Sequence, residues 1–166
     1  MSDITSDASS FDSAKYRQVL GHFPTGVTVI TAATPDGPVG MAIGSFASLS
    51  LDPPQVLFCA GQQSSTWPKV RDAGSFCVNL LSENQEDVCR VFASKATDKF
   101  AEIGWKHSGN GSPLLEGVLG YIDCTIDTVV PSGDHDVVIG SVTDLDVLHE
   151  GGPLLFFRGG YGRFQL

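Results

Sequence analysis

The stretch PVGMAIGSFASLSLDPP, residues 38–54, combines a strand-like apolar pattern with small side chains and ends in two prolines. Gly40, Ala42, Gly44, Ala47 and Ser48 leave little side chain on a strand that would otherwise favour branched residues. Because a bare strand lets a flat ligand approach the backbone closely, we interpret this stretch as the floor of a pocket. The structural alternative is a β-bulge or a barrel corner, which glycine-rich strands form more often.

Other strands are predicted on both sides of this stretch. Residues 26–34 are rich in β-branched side chains, and the PDGP sequence that follows is typical of a turn. Residues 55–60 form a continuous apolar run, which favours a strand buried on both faces. Together with strands predicted at 75–81, 119–129, 137–148 and 154–158, this gives six or seven strands and favours an all-β barrel or sandwich. In residues 119–129 the alternation places Asp123, Thr125 and Asp127 on a solvated face.

Three short helices are predicted between these strands. The first follows Asp12 or Ser13 as the N-cap, and the third opens with a capping box at Ser82 and Gln85 and continues to Phe92 or Lys95. The second begins at Trp67, after Ser64, Ser65 and Thr66; its N-terminus is either an ordinary capped end or a place for an anion. Residues 98–100 are expected to begin a helical turn. In this turn Lys99 lies either near a cofactor phosphate or, as we expect of a lysine, in solvent; residues 105–113 are expected to form a loop.

Length and charge limit the classes of function. A chain of 166 residues is predicted to fold as one domain, here residues 13–166 after a disordered tail at residues 1–12. The formal charge of −9 argues against nucleic-acid binding and requires any nucleotide site to supply its own positive residues. The sequence contains neither GxGxxG nor GxxxxGK[ST], its four cysteines show no metal-binding spacing, and it opens without a signal-type segment, so we expect a cytoplasmic protein without a metal.

Six segments occur in the order seen in one known family. They are FPTGVTVITA (23–32), GMAIGSFASLSLDPP (40–54), SFCVNLLSENQ (75–85), DKF (98–100), GDH (133–135) and PLLFFRGGY (153–161). In these segments the chain resembles the short-chain flavin reductases, whose members include the NADH-dependent reductase components of two-component flavin monooxygenases. The resemblance implies a mainly β, Greek-key split barrel of the FMN-binding type, a homodimer, and a partner oxygenase that receives the reduced flavin.

The same resemblance implies which residues bind the ligands. The flavin ring and ribityl chain would lie against Pro38, Val39, Gly40, Met41, Ala42, Gly44 and Ser45, with Cys59, Ala60 and Gly61 on the opposite wall and Ser65 and Thr66 on the phosphate. His135 of the GDH motif would face the nicotinamide as the catalytic residue, and Phe156, Phe157, Arg158 and Gly159 would help to hold NADH. The alternative for His135 is a turn histidine beside a strand.

Some choices stay open at this level. Ala42 and Gly44 stand where many family members have side chains that hydrogen-bond the ring, so the sequence does not decide between FAD and FMN. It also leaves NADH and NADPH open. Two other functions are compatible with a flavin-binding barrel: an oxidase of the pyridoxamine-phosphate-oxidase-like type, which predicts a clearly basic phosphate site, and a non-enzymatic carrier, whose flavin NADH would not bleach.

Overall fold

The computed structural model describes residues 11–165 of the chain, and most of the tail predicted at residues 1–12 lies outside this range. Strands dominate, with three short helices among them. The elements in chain order are α1 (Ser13–Leu20), β1 (Thr25–Gly26), β2 (Thr28–Thr34), β3 (Gly37–Ile43), β4 (Ala47–Leu51), β5 (Pro54–Gly61), α2 (Trp67–Ala73), β6 (Ser75–Leu80), α3 (Glu86–Ala93), β7 (Trp105–His107), β8 (Pro113–Leu115), β9 (Gly120–Ser132), β10 (His135–Val147), β11 (Leu154–Phe157) and β12 (Gly160–Arg163).

Seven antiparallel strands form the main sheet in the order β3-β2-β6-β9-β10-β5-β4. Strands β3 and β4 follow each other in the chain but lie at opposite edges of this sheet. Three residues, 44–46, join them, so the sheet must curl, and β3 comes close to β5. Because β3 and β4 are not paired with each other, the barrel stays open between its edges. The predicted mainly β split barrel is therefore confirmed.

The interior of the curled sheet is an aromatic core. Phe58 of β5 meets both Phe76 of β6 and Trp67 of α2 edge to face, with ring centroids 5.3 and 6.0 Å apart. A second cluster lies on the outer side of the sheet. In it Cys89 and Phe92 of α3 pack together with residues of β8, Leu114 and Leu115. These two clusters fix α2 and α3 against the sheet, and both helices border the cleft described below.

Three predictions about the strands were wrong. Residues 105–113 are not wholly loop, because β7 pairs with β8 in a two-stranded sheet. Asp123 is not on a solvated face but fully buried, because the loop at residues 108–112 covers that side of β9 and the Asn110 N–H donates to Asp123 Oδ2 (3.0 Å). Strand β5 is buried on one face only, since Val56, Phe58 and Ala60 are buried and alternate with half-buried neighbours.

Two of the three helices begin where predicted, and α3 does not. Asp12 caps α1 as predicted, accepting from the N–H groups of Ala14 and Lys15. Helix α3 begins only at Glu86, because the predicted pair forms a turn in which the Gln85 side chain accepts from the Ser82 N–H (3.0 Å). Residues 98–100 form no helix and Lys99 is half-buried, which contradicts the expected solvated lysine. Within residues 11–165, none of the helices is long and apolar enough to cross a membrane.

Candidate functional site

A cleft lies between the edge strand β3, the segment before α2 and the segment after α3. It consists of two adjoining cavities with volumes of about 320 and 450 Å³, a size typical of small-ligand pockets. The first cavity is lined by Pro38, Val39 and Gly40, and the second by Met41 and Ala42. Residues that line both are Ser65, Thr66, Lys95, Ala96 and Lys99. The structure therefore brings together the first five residues predicted for the flavin and the two predicted for its phosphate.

The close approach of an aromatic ring explains the glycine at position 40. A Cβ on Gly40 would lie 2.6 Å from Phe92 Cε1 and 3.4 Å from Phe100 Cζ. The two rings pack edge to face with centroids 5.0 Å apart, and Phe92 is 1% exposed. The lack of a side chain at Gly40 is thus required on the outer side of β3, where α3 packs against the strand. This packing holds β3 at the edge of the cleft.

The hydroxyl that caps α2 is not one of those assigned to the phosphate. Ser64 Oγ accepts from the N–H groups of Thr66 and Trp67, each at 3.2 Å. Thr66 occupies the N-cap position without a capping bond from its own side chain. Since Ser64 does the capping, the Thr66 hydroxyl is left available to a ligand in the cleft.

Three of the five lysines in the chain line the cleft, although the chain as a whole is acidic. Lys99 Nζ donates to the carbonyl oxygens of Phe92 (2.9 Å) and Gly40 (3.3 Å), so it ties the end of α3 to β3. Burial lowers the pKa of Lys99, because it disfavours the charged form. The other two cleft lysines are Lys69 and Lys95, and one carboxylate, Asp98, faces the same cavity.

Sequence reasoning did not assign Lys69 and Lys95 to the site, and for Lys99 it favoured solvent over a place near the phosphate. The signal for Lys99 was the DKF segment, but a lysine in a polar stretch is usually solvated. Lys69 and Lys95 belong to different elements, and only the fold brings them to one cavity. The positive residues that a nucleotide site was expected to need are therefore present, but they are recruited from separate parts of the chain.

A second group of predicted residues forms where β5 pairs with β10. His135 lies directly opposite Gly61 in the register, and Val137 lies opposite Cys59. The His135 Nδ1 atom lies 2.7 Å from Asp134 Oδ1, and its Nε2 would lie 3.7 Å from a Cβ at Gly61. The bond from His135 lowers the pKa of the Asp134 carboxyl, so this carboxylate is charged at neutral pH and orients the imidazole.

Ser45, in the link between β3 and β4, is hydrogen-bonded to a residue of this second group. Its hydroxyl accepts from the Cys59 N–H and donates to the Cys59 carbonyl, both at 3.0 Å. The side chain predicted to touch the flavin is therefore already bound to the facing strand. Together with Gly44, Ser45 lines a separate depression near Phe23, with a volume of about 590 Å³.

The third predicted group, Phe156 to Gly159, lies next to α1 rather than in the cleft. The Arg158 N–H donates to the Gly21 carbonyl (2.9 Å), and Phe157 meets His22 edge to face. Arg158 was predicted to lie on a strand, but it lies in the hairpin turn between β11 and β12, with φ of +50°. Both Phe156 and Phe157 are exposed. Within the described chain, this group does not line either of the two cavities.

Comparisons with known proteins find relatives that match nearly the whole chain. The chain is 52% identical over 157 residues to a protein named flavin reductase from Pseudomonas putida, covering 94% of this chain and 92% of the relative. It is 47% identical over 165 residues to the flavin-dependent monooxygenase reductase subunit HsaB of Rhodococcus jostii, covering 97% and 85% of the two chains.

Among solved structures, the Streptomyces globisporus NADH:FAD oxidoreductase SgcE6 in complex with NAD and FAD fragments superposes with a TM-score of 0.88. The two chains are 34% identical, and the match covers 93% of each. The family described as flavin reductase like domain matches residues 20–165, nearly the whole described chain. On the sequence match and the shared fold together, this chain belongs to the flavin reductase-like family.

Proposed function

We propose that this chain is an NADH-dependent flavin reductase that reduces FAD or FMN and supplies the reduced flavin to a separate monooxygenase. The observation that carries the proposal is the cleft beside β3. Hydroxyls from the segment before α2 and lysines from α2 and from the segment after α3 line it, next to a strand with small side chains. The proposal of a partner oxygenase is supported by the relative named as a monooxygenase reductase subunit. The proposal of NADH is supported by the neighbour named NADH:FAD oxidoreductase.

The residues of the cleft fit a flavin nucleotide. A phosphate needs hydrogen-bond donors and positive charge, and Ser65, Thr66 and Lys99 offer both beside the strand edge. We assign the phosphate to these residues and to Lys69 and Lys95, with the ring and ribityl chain along Pro38 to Ala42, Gly44 and Ser45. The wall opposite the ring is assigned to Cys59, Ala60 and Gly61.

The chemistry requires few side chains, because the flavin itself accepts hydride from the nicotinamide and the protein mainly positions the two rings. We assign to His135 the face of the nicotinamide, since Gly61 opposite it leaves the imidazole edge uncovered. Asp134 holds the ring of His135 in one orientation through Nδ1. The imidazole thereby directs Nε2 toward the space between β5 and the bound nucleotide.

The proposal includes a homodimer. Helix α1 buries none of its residues within the chain, and its apolar side chains are exposed: Tyr16 at 54%, Val19 at 59% and Leu20 at 49%. Phe23 and Phe157 extend this apolar surface. A contiguous apolar area of this kind is typical of a protein interface, and a second copy of the chain would cover it. We also propose that Phe156, Phe157, Arg158 and Gly159, which lie beside this surface, help to bind NADH.

A cytoplasmic location is also part of the proposal. All four cysteines are free thiols, and three of them are buried. Burial raises the pKa of Cys124 to about 12, so this thiol stays protonated and unreactive at physiological pH. Free thiols fit a reducing compartment, where NADH is also available.

The direct test of the activity is anaerobic mixing of the purified protein with NADH and, separately, with FMN and FAD. We expect catalytic bleaching of the flavin absorbance, and the faster flavin identifies the preferred substrate. NADPH in place of NADH decides the nicotinamide preference. Flavin that binds but is not bleached would contradict the proposal and favour a carrier.

Replacing Lys99 with methionine should weaken flavin binding about tenfold or more. The variant loses a positive charge in the cleft and the two bonds that tie the segment after α3 to Gly40 and Phe92. Titration of flavin into the protein, followed by protein or flavin fluorescence, measures the change in Kd. The matched control is Lys106→Met, an exposed lysine outside the cleft. Equal affinities for both variants would remove Lys99 from the site.

A further inference from the structure

Four hydrogen bonds join the segment at residues 61–66 and the start of α2 to residues 134–136, where β10 begins. The Gln62 N–H donates to the Asp134 carbonyl (3.0 Å), and the Gln62 side-chain amide donates to the His135 carbonyl (3.3 Å). The same amide donates to Asp136 Oδ1 (2.9 Å), and the Trp67 indole N–H donates to Asp136 Oδ2 (2.7 Å). Two of the four bonds therefore end on a single carboxylate.

Asp136 is a buried acid whose two oxygens are both occupied. It is 8% exposed, and acidic side chains are seldom buried unless they are paired. The pKa of Asp136 lies below its ordinary value, first because the Trp67 indole donates to the carboxylate and then because Gln62 does, with a further contribution from the charge of Arg71. The carboxylate thus keeps its charge, which strengthens both bonds.

These two bonds hold the segment on both sides of the residues assigned to the phosphate. Gln62 precedes Ser65 and Thr66 in the chain, and Trp67 follows them directly. Asp136 itself follows His135 in β10, and successive side chains of a strand point to opposite faces. The carboxylate therefore fastens the segment on one face of β10 while the imidazole occupies the other.

We propose that Asp136 is a positioning residue that keeps the phosphate-binding segment at residues 61–66 in a fixed place relative to His135. The inference rests on the proposed function and deepens its site. Without the shared carboxylate, the hydroxyls at Ser65 and Thr66 and the imidazole would be free to shift relative to each other. Hydride transfer depends on near-attack geometry, and a displacement of about 1 Å can slow a reaction about 10²-fold.

The test is the substitution Asp136→Asn, which preserves size but replaces one of the two accepting oxygens by an NH2 group, so that only one of the bonds from Trp67 and Gln62 can still form. Gln62→Ala is the second variant; Gln62 is exposed, so its removal breaks two of the four bonds without opening the core. The matched control is Asp144→Asn on the same strand, whose carboxylate accepts from the Tyr121 hydroxyl (2.7 Å) away from the cleft. Each variant is measured for flavin Kd, for the rate of flavin reduction at saturating NADH and flavin, and for Tm.

We expect Asp136→Asn to raise the flavin Kd about tenfold and to slow flavin reduction at saturation. Gln62→Ala should change both in the same direction, while Asp144→Asn leaves them at wild-type values even if its Tm falls. A purely structural role for Asp136 would lower Tm and leave Kd and rate unchanged, and that result in both Asp136→Asn and Gln62→Ala would overturn the proposal. If Asp136→Asn does not fold, Gln62→Ala decides. Wild-type protein that does not reduce flavin with NADH would instead refute the proposed function.

Discussion

Replacing His135 with alanine should slow the reduction of flavin by NADH about 10²-fold and leave the fold unchanged. The side chain of His135 is half exposed, so its removal opens no cavity in the core. The imidazole is held at Nδ1 by Asp134 (2.7 Å), which leaves Nε2 as the atom that would meet the nicotinamide in the proposed site. The loss should therefore affect NADH binding and the hydride-transfer step rather than stability.

Anaerobic stopped-flow measurement over a range of NADH concentrations separates the two effects, and deuterated NADH shows whether hydride transfer limits the rate. His107→Ala is a matched control, because His107 is also exposed and its Nδ1 lies 2.9 Å from a backbone carbonyl, that of Gly111. Asn in place of His135 retains a polar group near Nδ1 but not Nε2, so we expect it to be as slow as the alanine variant. Unchanged kinetics in both substitutions at His135 would remove this residue from the mechanism.

Much of the fold could be predicted from local patterns. The β-branched run before the PDGP turn and the long alternating pattern around Ile122 became β2 and β9, because both patterns favour an extended strand whatever its partners. Strands β7 and β8 were missed, since three residues are too few to show a period and the pair forms only by hydrogen bonding to each other. Asp123 was misplaced because its burial depends on the loop that covers it.

The candidate site could be predicted only where motif and family resemblance applied. The GDH motif indicated His135, but its pairing opposite Gly61 depends on the antiparallel register of β5 and β10, which no local pattern reveals. Lys99 was expected to be solvated because composition near it is polar, yet its ammonium group reaches two backbone carbonyls. Contacts of this kind join residues far apart in the sequence, so they cannot be predicted from local patterns. The positive charge of the cleft arises because the fold brings such distant lysines together.

Replacing Gly40 with alanine should destabilise the protein by about 1–3 kcal/mol, the usual cost of adding a methyl group to a filled core. The new Cβ would lie 2.6 and 2.8 Å from two atoms of Phe92, a ring that is 1% exposed and already packed against Phe100. For a domain of this size the expected loss in Tm is about 2–12 °C. Gly162→Ala is the control, because no atom lies within 4 Å of a Cβ at that position in β12.

The same substitution should also weaken flavin binding, because the carbonyl groups of Gly40 and Phe92 are the two acceptors of Lys99. If the Phe92 ring moves away from a Cβ at position 40, the end of α3 moves with it, and the ammonium group cannot keep both bonds. Combining Gly40→Ala with Phe92→Leu tests this explanation, since the smaller side chain removes the clash. Coupling between the two changes, measured as a double variant more stable than the sum of the single losses, would support it. Strictly additive losses, or a Gly40→Ala variant as stable as Gly162→Ala, would show that the ring is not what requires glycine at this position.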